Sequence, residues 1–170
     1  MCDQRSASGG RLWTLLLRWC WVAGAGCEPF QPVSDHLLAQ VDLLTPNATE
    51  CTLLTGIEVR DIPSAQRAAL ALHAKGIQAL IITLGTQGAL LSVNGETQLI
   101  AACPATPVDT TGAGDAFNGA LASQLAAGST LQDAALFASA YASVCVERAG
   151  AAASMPTYEE ARERMKVAVV

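Results

Sequence analysis

The chain has 170 residues, room for one ordinary domain. Apolar residues make up 51% and aromatics only 5%, which suits an Ala/Leu/Val core between packed helices and strands. A formal net charge of -5, with no run of Lys or Arg, excludes sequence-independent nucleic-acid binding, which needs a basic face. The cysteines (Cys2, Cys20, Cys27, Cys51, Cys103, Cys145) form no CxxC pair, and only His36 and His73 could join them in a metal site. That argues against zinc and for reduced thiols in a cytoplasmic protein.

Residues 1–31 differ in character from the remainder of the chain. Trp13, Trp19 and Trp21 lie there with half of the cysteines. Arg5 and Arg11 precede an apolar stretch from Leu12 to Gly26, and small residues Ala23 to Gly26 precede Cys27, the layout of a secretory signal. Arg18 interrupts that stretch, whereas a spanning helix needs about 20 apolar residues, so no membrane segment is expected. The reading adopted is an atypical leader, disordered or a misassigned start, with residues 32–170 as the folded region.

From Pro32 the pattern becomes regular. Ser34 to Gln40 reads as a short helix and Val41 to Leu44 as a short strand. Thr45-Pro46-Asn47 turns the chain into a helix, Ala48 to Thr55, stopped by Gly56. Asn47 and Glu50 are three apart and share a face of its first turn, offering an amide and a carboxylate to a hydrated metal–phosphate group. The same spacing equally describes a capping box, with Thr45 or Asn47 as the cap. Pro63 to Lys75 reads as a longer helix, with Ala65, Ala68, Ala69 and Leu72 on one face.

Ala79 to Thr83 is a continuous apolar run, as in a buried parallel strand. Thr83-Leu84-Gly85-Thr86-Gln87-Gly88 comes next; its two glycines suit either close approach to a nucleotide or a plain turn. Ala89 to Val93 and Thr97 to Ala101 flank Asn94-Gly95, a hairpin signal. Strands alternating with helices imply βαβ units, and ligands of such sheets gather at the carboxyl ends of strands. The turns at Asn47, at Gly85 to Gly88 and at Gly112 to Gly114 are each expected at such an end.

Asp109-Thr110-Thr111-Gly112-Ala113-Gly114-Asp115-Ala116-Phe117 is the most informative stretch. Its glycines let consecutive N–H groups converge on one oxyanion, and the helix Gly114 to Ala127 adds the positive end of its dipole. A carboxylate at Asp115 would repel a resting anion, which suits a base that takes a proton from an attacking hydroxyl. The stretch lacks a Gly-Lys-Ser/Thr ending, so this is no Walker loop, and the third glycine is misplaced for a dinucleotide fingerprint. An αL turn leading into a helix is the plain alternative. Leu131 to Glu147 forms the next helix. Cys145 to Arg148 and Gly150 to Ser154 then leave carbonyls that, with Asp109, could hold a monovalent cation or merely end the helix. Tyr158 to Val167 is a final amphipathic helix.

Together these segments resemble the carboxy-terminal half of ribokinase-type enzymes of the PfkB carbohydrate kinase family, over residues 32 to about 160. The strongest points are Thr45 to Glu50, Ile82 to Gly88 and Val108 to Gly119, whose order and spacing agree. The resemblance implies a partial, Rossmann-like three-layer α/β/α fold. It implies that Asp115 touches the sugar hydroxyl as catalytic base, with Gly112, Ala113 and Gly114 as anion hole. It implies ATP contacts from Asn47, Thr83, Leu84, Gly85, Thr86, Gln87, Gly88, Gly114 and Ser139. Glu50 would hold magnesium through water. Asp109, Thr111, Cys145, Arg148, Gly150 and Ser154 would form a potassium site, with Thr111, Cys145, Arg148 and Gly150 using main-chain carbonyls. The family's amino-terminal half, with its glycine-rich sugar motif and lid strands, has no counterpart here. The expectation is an ATP-dependent kinase for ribose or a similar sugar, poorly active alone and marginally stable unless a partner covers its open sheet edge. The alternatives are a non-catalytic nucleotide-binding remnant, or a half that needs a separate amino-terminal partner. A homo-oligomer is also compatible.

Overall fold

The computed structural model describes Leu38 and residues 41–168. The leader, and the helix expected from Ser34 to Gln40 apart from Leu38, lie outside the described residues. Elements run in the order α1 (Ala48–Thr55), α2 (Ile62–Ala74), β1 (Ala79–Thr83), β2 (Ala89–Val93), β3 (Glu96–Ile100), α3 (Ala113–Ala126), α4 (Leu131–Cys145) and α5 (Tyr158–Ala168).

The three strands form one sheet in the order β1-β2-β3, antiparallel throughout. Asn94 and Gly95 both adopt positive φ (51° and 91°), as a two-residue hairpin turn between β2 and β3 requires. The strand expected at Val41 to Leu44 does not form. Instead Leu44 and Asn47 make isolated parallel bridges to Leu80 and Thr83. Ile81 N–H donates to Leu44 O at 2.8 Å and Thr83 N–H to Pro46 O at 3.0 Å. Pro46 has no N–H to return, so the ladder is interrupted where the sequence read a turn. The parallel neighbour of β1 is therefore present as a bridged run, and β1 has an antiparallel partner on its other side.

Side-chain alternation divides the core between the two faces of the sheet. Leu80, Ile82 and Leu90 pack with Leu44, Cys51, Ala65, Ala68, Ala69 and Leu72, beneath α1 and α2. Ile81, Ala89, Leu91 and Ile100 pack with Phe117, Leu121, Ala134, Ala138 and Ala161, beneath α3, α4 and α5. Small residues Ala116, Ala120, Ala134 and Ala138 are all buried and let α3 and α4 pack closely. The result is three layers, with helices on both faces. Ser92 is fully buried on β2 and is satisfied by His73, whose Nε2 lies 2.8 Å from its hydroxyl. Gly95 N–H also donates to Nε2, so Nδ1 carries the proton and donates to Ile77 O at 2.7 Å.

Residues 101–110 carry no regular structure. The Gly112 turn is thus reached through coil and does not follow a strand, contrary to the expectation that all three turns end strands. Pro104 and Pro107 deprive this segment of the donors that a ladder needs.

Candidate active site

Asn47 opens α1 as a complete capping box. Its Oδ1 accepts from Glu50 N–H, and Glu50 Oε2 accepts from Asn47 N–H, both at 2.9 Å. The capping reading of this pair is therefore realised, and it also fixes both side chains. The Asn47 Nδ2 and the other Glu50 oxygen remain without partners among the described residues. Burial pushes the Glu50 carboxyl above its usual range, against the lowering pull of the two Asn47 hydrogen bonds. The Asn47–Thr83 bridge sets this turn beside the start of the next loop.

That loop is a closed turn: Leu84 N–H donates to Gly88 O at 2.8 Å and Gly88 N–H to Gly85 O at 3.0 Å. Thr83, Gly85, Thr86 and Gly88 line a cleft of about 450 Å³. Leu84 packs instead against the α1–α2 side of the core, and Gln87 Nε2 donates to Arg60 O at 3.1 Å. The six-residue motif thus divides into four cleft residues and two anchors.

Thr110, Ala113 and Gly114 also line the cleft, and Ser139 lines it from α4. Gly112 caps α3 with φ 78° and, having no side chain, leaves the first-turn N–H groups uncapped. The other described helices are treated differently: Asn47, Asp61, Thr130 and Thr157 each supply a side-chain oxygen at their starts. Only Ala113 N–H of the α3 opening finds a backbone acceptor, Thr110 O, at 3.2 Å. Gly114 and Asp115 N–H stay available beside the positive end of the dipole. The Asp115 carboxylate is exposed in that first turn and makes no hydrogen bond or ion pair among the described residues.

Asp109 is the opposite case. Its carboxylate accepts from Thr111 N–H and from Gly150 N–H, each at 2.9 Å, and so ties the α3 turn to the loop after α4. The Gly150 and Thr111 hydrogen bonds hold its carboxyl down to about 2. A depressed folded value means that this tie is fully present above the unfolded carboxyl range and is lost as pH falls toward about 2. Asp109→Asn is expected to raise hydrogen exchange at Thr111 and Gly150 selectively. Unchanged exchange at both amides would exclude the tie.

The remaining cation candidates surround Asp109. The carbonyls of Thr111, Arg148 and Gly150 accept no hydrogen bond among the described residues, whereas Cys145 O accepts from Arg148 N–H at 3.1 Å. The Ser154 hydroxyl is buried, donating to Ala151 O at 2.7 Å and lying 2.9 Å from Cys145 Sγ. The Arg148 guanidinium turns away to pair with Glu160, leaving its carbonyl as the group that could face a cation. Ser139 Oγ donates to Ala101 O at 3.3 Å. Sequence reasoning missed much of the cleft lining, including Ala102, Cys103, Pro104, Ala105, Pro107 and Val146. The paired prolines of the 101–110 coil were the available signal.

The family model described as pfkB family carbohydrate kinase matches residues 18–158. The chain belongs to that family. Ribokinase of Haemophilus influenzae is 42% identical over 135 residues, 79% of this chain and 44% of that protein. Deoxyribokinase of Salmonella typhi is 32% identical over 126 residues, 74% of this chain and 41% of that protein. The solved structure of Arabidopsis thaliana ribokinase complexed with ribose and ATP superposes with a TM-score of 0.75 at 35% identity, over 80% of this chain and 44% of that one. This pfkB-family chain therefore has the ribokinase-like α/β fold and spans less than half the length of the relatives it matches.

Proposed function

We propose that this chain carries the nucleotide side of an ATP-dependent sugar kinase of ribokinase type, transferring a phosphoryl group to a primary hydroxyl of ribose or a similar sugar. The observation that carries the reading is the convergence of the Thr83–Gly88 loop, the uncapped start of α3 and Ser139 on one cleft. The cleft lining is mainly apolar, with Ala, Pro, Val and Phe side chains that suit a flat base, while the N–H groups of Gly114 and Asp115 suit phosphate oxygens. Gly112, Ala113 and Gly114 then act as the anion hole for the charge that develops during transfer. Asp115 comes directly after them and is free to accept the proton of the attacking hydroxyl.

The donor sets also fit the two cations. Glu50 would hold magnesium through water: a half-buried carboxylate whose charge is disfavoured by burial gains from a neighbouring cation. Asp109, Ser154 and the carbonyls of Thr111, Cys145, Arg148 and Gly150 would hold potassium, and three of those carbonyls are unoccupied as acceptors among the described residues. Bound there, magnesium would supply charge neutralisation on the transferring phosphoryl group. The solved ribokinase bound to ribose and ATP supports ribose as the first acceptor to try.

Gly114→Ala tests this reading without disturbing the fold. A Cβ at Gly114 meets nothing within 4 Å, and alanine is the better helix former by about 1 kcal/mol. The melting temperature should hold or rise while affinity for MgATP, measured by calorimetry, falls. Equal ATP affinity in the two proteins, or no ATP binding by the unchanged chain, would overturn the reading.

A further inference from the structure

The cleft wall from Ala102 to Pro107 belongs to a coil that needs external support. It leaves β3 at Ile100, pairs with no strand, and its two prolines lack donors. Its far end is held by Val146 O, which accepts from Val108 N–H at 2.8 Å and Asp109 N–H at 3.1 Å. Its middle is held by two side chains that do not themselves line the cleft. Glu147 Oε1 accepts from Thr106 N–H at 3.1 Å, and Arg164 Nη1 donates to Pro104 O at 2.6 Å. The two side chains are joined as a fork: Arg164 Nη2 lies 2.5 Å from Glu147 Oε2, and Nη1 lies 3.2 Å from Oε1. Their side chains are 21% and 30% exposed, against 65% and 71% for Lys166–Glu163 on the same helix α5, so the fork is shielded where an ordinary surface pair is not.

A single planar guanidinium thus bonds a carboxylate at the end of α4 and a carbonyl of the cleft wall at once, which its fork geometry permits. We propose that Arg164, acting with Glu147, is a positioning residue of the nucleotide cleft: α5 latches the 104–106 wall and so sets the width of the slot for the base. This inference rests on the nucleotide reading of the cleft. It differs from a merely stabilising ion pair, which would tie α5 to α4 and leave the wall unaffected.

Two readouts on the intact chain separate these roles. Arg164→Met keeps the apolar stem and removes the donors; Glu147→Gln keeps the shape and weakens the acceptor; Lys166→Met on the same helix is the control. Hydrogen exchange should rise at residues 106 and 108 in Arg164→Met and Glu147→Gln, while α1 and α2 stay protected. The dissociation constant for MgATP should rise about tenfold in both, the size of one lost charge-assisted hydrogen bond, and stay unchanged in Lys166→Met. Exchange that rises uniformly through the chain, or not at all at the wall, would overturn the latch. ATP binding by the unchanged chain with equal affinity in Arg164→Met would overturn the positioning role alone. No ATP binding by the unchanged chain would overturn the nucleotide reading and the assignment of Arg164 to it.

Discussion

Replacing Gly88 with alanine is expected to remove a substantial part of the chain's stability. Gly88 has φ 95°, where an L-residue is strained, and a Cβ there would stand 2.1 Å from Ile100 O and 2.8 Å from Ala102 N. Both obstacles are backbone, at the point where β3 ends and the cleft wall begins, so neither can swing aside as a side-chain tip would. Left-handed placement costs about 1–2 kcal/mol and overpacking about 1–3, together roughly 2–5 kcal/mol in a domain whose total is on the order of 5–15. Gly85 is the natural comparison. It also has positive φ, 58°, but a Cβ there meets nothing within 4 Å, so Gly85→Ala should show the conformational cost alone. Urea unfolding of the two variants beside the parent decides the matter: equal midpoints for Gly85→Ala and Gly88→Ala would show that the close approach at Gly88 carries no weight. Two glycines that look alike in the motif thus have different work. Gly88 lets the loop pack against the sheet edge, and Gly85 is the one with open space before it.

That contrast also marks where sequence stops being legible. Helix starts were readable because caps are local: Asn47 with Glu50, and the Asn94-Gly95 turn, announce themselves over a few residues. The start of α3 was readable for the same reason, since Gly112, Gly114 and Asp115 fall within one turn of sequence. The direction of β1 was not, because the run Ala79 to Thr83 is buried on both faces and apolarity carries no arrow. Nor was the missing strand at Val41 to Leu44, where one absent N–H at Pro46 outweighs a favourable composition. The site divides along the same line. Residues with chemical labels, such as Asp109, Asp115 and Glu50, could be singled out as candidates by type and spacing. The cleft wall of Ala102, Cys103 and Ala105 has no label and gathers only through long-range folding. Arg164 and Glu147 meet across two helices, so nothing near either one in the sequence announces the pair.

Asp115→Asn is expected to abolish most phosphoryl transfer while leaving ATP binding intact or slightly tighter. The exchange keeps size and shape, and the side chain has no partner among the described residues to lose, so the fold should be indifferent. A general base contributes about 10²–10⁴-fold, and that is the fall in kcat/KM to look for with ribose as acceptor in a coupled ADP-release assay. The direction of the binding change distinguishes this role from a structural one. A carboxylate near bound phosphate repels it by about 1 kcal/mol at 4 Å in water, so its neutral replacement should bind MgATP as well or a few-fold better. Asp109→Asn should behave in the opposite manner. Its carboxylate holds the Thr111 and Gly150 N–H groups, and losing that charge loosens the turn that presents Gly112 to Gly114, which weakens binding itself. Turnover in Asp115→Asn within a few-fold of the parent would remove the base from the mechanism. A fall in ATP affinity in Asp115→Asn as large as in Asp109→Asn would recast Asp115 as part of the scaffold. The affinity comparison needs no turnover, so it can be read on this chain whatever its rate.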